Sequence, residues 1–187
     1  MEDLFPDEVD QAWQRRKREL AFVENLQGAE QHWFFIQGMK AAEAKLFLPA
    51  VSSLLNGIEA TLRIYVHRYG DNNNDWALEP SPYRVLSNIL INKAAAIGLP
   101  VGNLRFDGED DFEDALRSEK PNRIDVQIVK LRNNVCHGNL WQFFEDVPDA
   151  GIIFVPEMMA ETAEQLLQIS ERWSQSLREF RKMKALV

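Results

Sequence analysis

Hydrophobic residues recur along this chain mostly at steps of three and four, which predicts helices almost from end to end. The clearest run lies between Ala50 and Tyr69, where Val51, Leu54, Leu55, Ile58, Leu62, Tyr65 and Val66 share one face. Gly70 is expected to stop that helix, and Asp71-Asn72-Asn73-Asn74-Asp75 reads as a solvated loop. Upstream, Asp7–Gln27 predicts a first helix with an acidic start and apolar contacts from Trp13, Leu20, Phe22 and Val23. A second helical stretch runs from Ala29 to Leu48, with Trp33-Phe34-Phe35 assigned to the core. Pro49 then starts a new helix or kinks a long one.

Further along, Tyr83–Ile97 predicts a helix ended by Gly98 and Pro100, Val101–Gly108 an irregular stretch, and Asp110–Ser118 a short acidic helix. Pro121 is expected to open a helix over Arg123–His137. Its core stripe would be Ile124, Ile128, Leu131 and Val135, with Val126, Val129 and Cys136 on another side. A helix apolar on two sides is covered on two sides, here by the C-terminal helix or by a second copy of the chain. Pro148-Asp149-Ala150-Gly151 is a turn signal, and Gly151–Val155 suits a short strand. From Pro156 a long final helix carries Met159, Leu166, Leu167, Ile169, Trp173, Leu177 and Phe180. The expected fold is all-α, a bundle of four principal helices with additional short helices.

Composition narrows the setting. The chain has 187 residues without repeats or linkers, so residues 1–187 are expected to form one domain. The net charge of −8 argues against a general nucleic-acid coat protein, because duplex binding draws on phosphate neutralisation. It leaves room for one local basic site. A lone cysteine builds no internal disulfide. No basic segment followed by an apolar run opens the chain, and no apolar stretch is long enough to span a bilayer. The expectation is a cytoplasmic protein without membrane contact.

The densest chemistry is Arg132-Asn133-Asn134-Val135-Cys136-His137, followed by Gly138. It joins a permanent cation to the side-chain type that exchanges protons near neutral pH. On a regular helix, residues five apart lie about 140° from one another, so Arg132 and His137 form no compact pair within one chain. Asn133 and His137 share a face. Two such helices meeting across a two-fold axis would pool two arginines, two asparagines and two histidines in one cleft.

This arginine–polar–x–x–x–histidine pattern resembles the signature of the HEPN superfamily, all-helical domains that often act as metal-independent ribonucleases in bacterial defence and toxin–antitoxin systems. The segment Leu54-Leu55-Asn56-Gly57-Ile58-Glu59-Ala60 is similar to the helix preceding the motif helix in such bundles. There an acidic or polar residue often approaches the catalytic pair, which marks Glu59. The resemblance implies a homodimeric endoribonuclease with Arg132, Asn133, His137 and Glu59 at a shared cleft. It needs no metal and no cofactor, uses the ribose 2′-OH as nucleophile, and leaves a 2′,3′-cyclic phosphate. Histidine would move the protons and arginine's fork would grip the phosphate. RNA would be the substrate, and an antitoxin or defence-system protein a possible partner. One position departs from the pattern: where toxins paired with a nucleotidyltransferase antitoxin carry a modified tyrosine two residues after the histidine, this chain has Asn139.

Other residues have plainer readings. Arg15, Arg16 and Arg18 would track an RNA backbone, although a charge run on a helix is more often a solvated face. His67 reads as a surface or capping residue, His32 as packing beside Trp33, and Cys136 as a small apolar filler. The rival expectation for the whole chain is a non-catalytic HEPN-like module that binds RNA, a nucleotide or a partner protein.

Overall fold

The computed structural model describes residues 6–70, 85–149 and 151–185. Four long helices dominate: α1 (Pro6–Leu26), α2 (Ala29–Glu43), α3 (Phe47–Tyr69) and α7 (Ala160–Ala185). Shorter ones, α4 (Asn88–Ala96), α5 (Phe112–Arg117) and α6 (Gln127–Cys136), fill one side of the bundle. A two-stranded antiparallel hairpin, β1 (Glu145–Val147) and β2 (Gly151–Ile153), pairs Glu145 with Ile153 and Val147 with Gly151. The fold is all-α.

The tightest contact is between α2 and α3. Two glycines permit it. A Cβ on Gly38 would sit 2.7 Å from Leu54 Cγ, and one on Gly57 would sit 2.9 Å from Phe34 Cβ. Between these helices the chain reverses at Ala44–Leu46, with Lys45 at φ 58°. Pro49 therefore lies in the first turn of a new helix, where its missing N–H costs no hydrogen bond. All seven apolar residues expected on the core face of α3 are buried. Gly70 caps that helix, its amide donating to Val66 O. The loop 71–75 and Tyr83 lie outside the described residues, but the helix expected over Tyr83–Ile97 is shorter: residues 85–87 are not helical, and it begins at Asn88 with Ser87 Oγ accepting from Leu90 N as its cap.

Helix α7 closes the bundle with Met159, Leu166, Leu167, Ile169, Trp173, Leu177 and Phe180 all buried as expected, although residues 156–159 form a 3-10 turn before it. Arg181 ties α7 to α3 and α1. Its Nη1 donates to Tyr65 Oη at 2.6 Å and to the Asn25 carbonyl.

Three further assignments are corrected. On α1 Phe22 is buried, but Trp13, Leu20 and Val23 are solvent-exposed. On α2 Phe35 is buried and stacks on Phe22, while Trp33 and Phe34 lie open. The motif helix begins at Gln127 rather than Arg123. Asn88 holds the preceding segment extended: its Nδ2 donates to Ile124 O at 2.8 Å and its Oδ1 accepts from Val126 N at 3.1 Å. Glu109 Oε1 then accepts from Gln127 N at 2.5 Å, placing a carboxylate on the helix's free amides. This extended entry turns Ile124 out to solvent and turns Val126 inward beside Val129.

Candidate functional site

The site is built where α6 crosses α3. Ile128, Val129 and Leu131 are buried, and Val135 packs partly against the core. Both apolar sides of α6 are thus taken up largely within one chain, so they do not by themselves call for a second copy. Arg132, Asn133 and Asn134 follow at half-buried positions, and Cys136 and His137 are exposed. Cys136 is therefore not a core filler.

Glu59 on α3 is the hub. Its Oε2 accepts from Arg132 Nε at 3.3 Å and from the Leu86 amide at 2.8 Å. Its Oε1 lies 4.0 Å from Arg63 Nη1. Arg132 Nη1 also approaches Asn133 Oδ1 at 3.5 Å. The side chains of Arg132 and Glu59 are only 14% and 15% exposed. At that depth Coulomb attraction is less screened than at the surface, but each charge has also lost most of its hydration. The backbone amide of Leu86 and the second arginine help offset that loss. The result is a guanidinium held in one orientation, with Nε and Nη1 engaged and little room to swing.

Because Glu59 touches Arg132 and an amide, its role in any chemistry at this site is positioning. His137 stands apart. It is the C-cap of α6, its amide donating to Asn133 O at 3.1 Å. Gly138, at φ 68°, donates to Val135 O, and Asn139 N donates to Asn134 O at 2.7 Å. This pair of bonds is the Schellman closure, which fixes the last turn and presents the imidazole outward. Asn134 is bonded further to Gln142 and Asn139, so the segment following His137 is tied back to the helix. About 1.5 Å of rise per residue separates Arg132 and His137 by roughly 7.5 Å along the axis, on diverging faces. One chain brings Glu59, Arg132 and Asn133 together and leaves His137 beside them rather than among them.

Beyond His137 the chain carries an aromatic step that the sequence reading left unassigned. Trp141 is 70% exposed and meets Phe144 edge-on with centroids 4.8 Å apart, and Phe144 in turn leans on Phe154 at 5.5 Å.

The basic residues of α1 lie on a different part of the bundle, where α1 packs on α7 and α2. The three arginines are ion-paired within the chain, Arg15 with Glu43 at 3.0 Å, Arg16 with Glu19 at 2.9 Å and Arg18 with Glu171 at 2.6 Å, while Lys17 Nζ lies 5.4 Å from the centroid of the Trp13 ring. A cleft of ≈ 500 Å³ between α1 and α7 is lined by Lys17, Arg18, Phe22 and Glu171 among others. His67 is exposed, as expected for a surface residue, and His32 is half-buried with its ring 5.4 Å from that of Trp33.

Among the described residues no group of three or more His, Cys, Asp and Glu side chains is arranged to hold a metal ion. None of the described helices is long and apolar enough to cross a membrane. Comparison with protein-family models, curated proteins and solved structures finds no match to this chain.

Proposed function

We propose that this protein is a HEPN-like, metal-independent endoribonuclease of the defence or toxin type, acting at a composite site formed by the α6 helices of two copies. The observation that supports it most is the Glu59–Arg132 contact, which joins the two segments whose residues resemble that superfamily. Beside it stand the exposed His137 and the half-buried Asn133.

In this reading one His137 takes the proton of a ribose 2′-OH while that oxygen forms a bond to phosphorus. The bond from phosphorus to the 5′-oxygen breaks, and His137 of the second copy supplies the proton to the leaving oxygen. Arg132, oriented by Glu59, balances the charge that grows on the non-bridging oxygens. The products are a 2′,3′-cyclic phosphate and a 5′-hydroxyl. An antitoxin or other defence-system protein is a further expected partner.

The test is incubation of the purified full chain with varied single-stranded RNAs at low salt in excess EDTA, with DNA of the same sequences beside them. RNA should be cut and DNA spared, since DNA lacks the nucleophile. Cleavage should be lost in His137→Ala. Activity that requires magnesium would contradict the mechanism. Intact RNA under all conditions would favour the second reading, a non-catalytic module that binds RNA, a nucleotide or a protein. The shallow exposure of the Arg132–Glu59 pair is the observation on that side, because it also suits a purely structural ion pair.

A further inference from the structure

Helix α1 has two apolar sides. The inner one holds Phe22 and Leu26, 1% and 2% exposed, with Asn25 bonded to Ser174 and Arg18 to Glu171 of α7. The outer one holds Val9, Trp13, Leu20 and Val23, which are 52%, 57%, 42% and 39% exposed. With Arg16 they follow a 4-3-4-3 spacing, the seam of a coiled coil, on the side of the helix opposite Phe22. Such a seam is expected to be covered by another helix.

We infer that the outer face of α1 pairs antiparallel with α1 of a second copy of this chain. From Val9 to Leu20 the pattern is self-complementary about the midpoint between Gln14 and Arg15, and Val23 lies beyond the paired stretch. Antiparallel pairing about that point sets Val9 against Leu20 of the second copy, and Trp13 against its Arg16. Because of the two-fold axis each contact occurs twice. Lys17 of the same helix covers one side of the Trp13 ring, its Nζ 5.4 Å from the centroid, and the guanidinium of Arg16 from the second copy, already paired with Glu19, is then offered to the other side. The flank agrees. Asp10 and Lys17 are exposed and seven residues apart, so they lie on the same edge of the seam. Antiparallel helices bring like edges together, which sets Asp10 beside Lys17 of the second copy and the reverse. Parallel in-register pairing would oppose Arg16 to Arg16 within the seam and is disfavoured by repulsion. A helix about 31 Å long gives a small interface, so the association is expected to be reversible and concentration-dependent.

This surface is on a different element from α6 and does not depend on the catalytic reading. A chain using both would assemble beyond a dimer, and Trp13→Glu would return it to the dimer paired through α6. A chain using α1 alone would pass from dimer to monomer.

Sedimentation velocity of the full chain over a range of concentrations tests the inference, with helical content checked by circular dichroism. These side chains point to solvent, so the variants should keep the fold. Trp13→Glu should lower the mass, to that of the α6-paired dimer or, where α1 alone pairs the chains, to that of the monomer. Asp10→Lys and Lys17→Glu should each weaken association, and the double exchange should restore it. A mass unchanged by Trp13→Glu, a wild type already at monomer mass, or a double exchange that fails to restore association would each overturn the pairing.

Discussion

Glu59 and Arg132, 73 residues apart in sequence, meet through a 3.3 Å hydrogen bond from Nε to a carboxylate oxygen that also accepts the Leu86 amide. That geometry makes Arg132 more than a positive charge. Its orientation is set by the fork of the guanidinium, which an ammonium lacks. Arg132→Lys is expected to keep the charge and lose RNA cleavage. Glu59→Gln should release Arg132 and lower kcat with a smaller change in KM, while costing about 1–3 kcal/mol because a shallowly exposed cation loses its counter-charge. Steady-state kinetics and urea unfolding of the two variants separate these effects. Full activity in Arg132→Lys would remove the phosphate-gripping role.

The position of α6 depends on residues that periodicity does not reveal. Asn88 is 2% exposed and donates to both Ala115 O and Ile124 O while accepting from Val126 N. Asn88→Ala leaves the buried Val126 amide without its acceptor, while Ala115 O and Ile124 O keep bonds from Ser118, and should cost about 1–3 kcal/mol. Hydrogen exchange should quicken first at residues 124–130. Uniform loosening of the whole chain would argue against a local role.

The main helices were legible because a buried stripe on α3 and α7 repeats with the helical period and ends at residues with a physical reason to stop, such as Gly70. The start of α6 was not legible. Ile124 fits its stripe by spacing, but Asn88 and Glu109 compete for the backbone of residues 124–127 from other elements, and Ile124 turns outward. The two sides of α1 were misread for a related reason. Trp13, Leu20 and Val23 look like core by composition, yet Phe22 and Leu26 already fill the space against α2 and α7. At the site, the resemblance picked out Glu59 and Arg132 together, and the structure puts them in contact. It left unmentioned the Leu86 amide and Arg63, since loop amides and second cations carry no motif.

Tyr65 supplies a pH dependence unconnected with catalysis. It is fully buried, and burial pushes its phenol above the usual tyrosine value, against the opposing pull of the Arg181 guanidinium. The neutral phenol is therefore favoured by folding. Its contribution is complete below the unfolded value of about 10 and is lost as pH rises towards the higher folded value. As pH rises through the unfolded value of about 10, stability of the wild type should fall more steeply than that of Tyr65→Phe, as read by urea midpoints. At neutral pH the variant should be weaker by about 1 kcal/mol for the lost Arg181 bond. Parallel alkaline slopes would show that other groups govern the loss.

Pairing of α6 across a two-fold axis can be read directly, because Cys136 is the single cysteine of the chain and is exposed immediately before His137. If two His137 side chains face one cleft, the two Cys136 thiols lie near the same axis. A short bifunctional thiol reagent, which spans the divergence of neighbouring helix positions, should then yield a covalent dimer cross-linked at residue 136, whereas Cys136→Ser should yield none. Trp13→Glu should leave this cross-link in place, since α1 is a separate surface. His137→Ala should also keep it while losing about 10²–10⁴ in cleavage rate. Its outward imidazole predicts a stability loss within about 1 kcal/mol. A chain that forms no cross-link, or forms it only when α1 is intact, would remove the composite cleft. Arg132 and His137 of one helix would then be left diverging, with no second copy to complete the proton transfers.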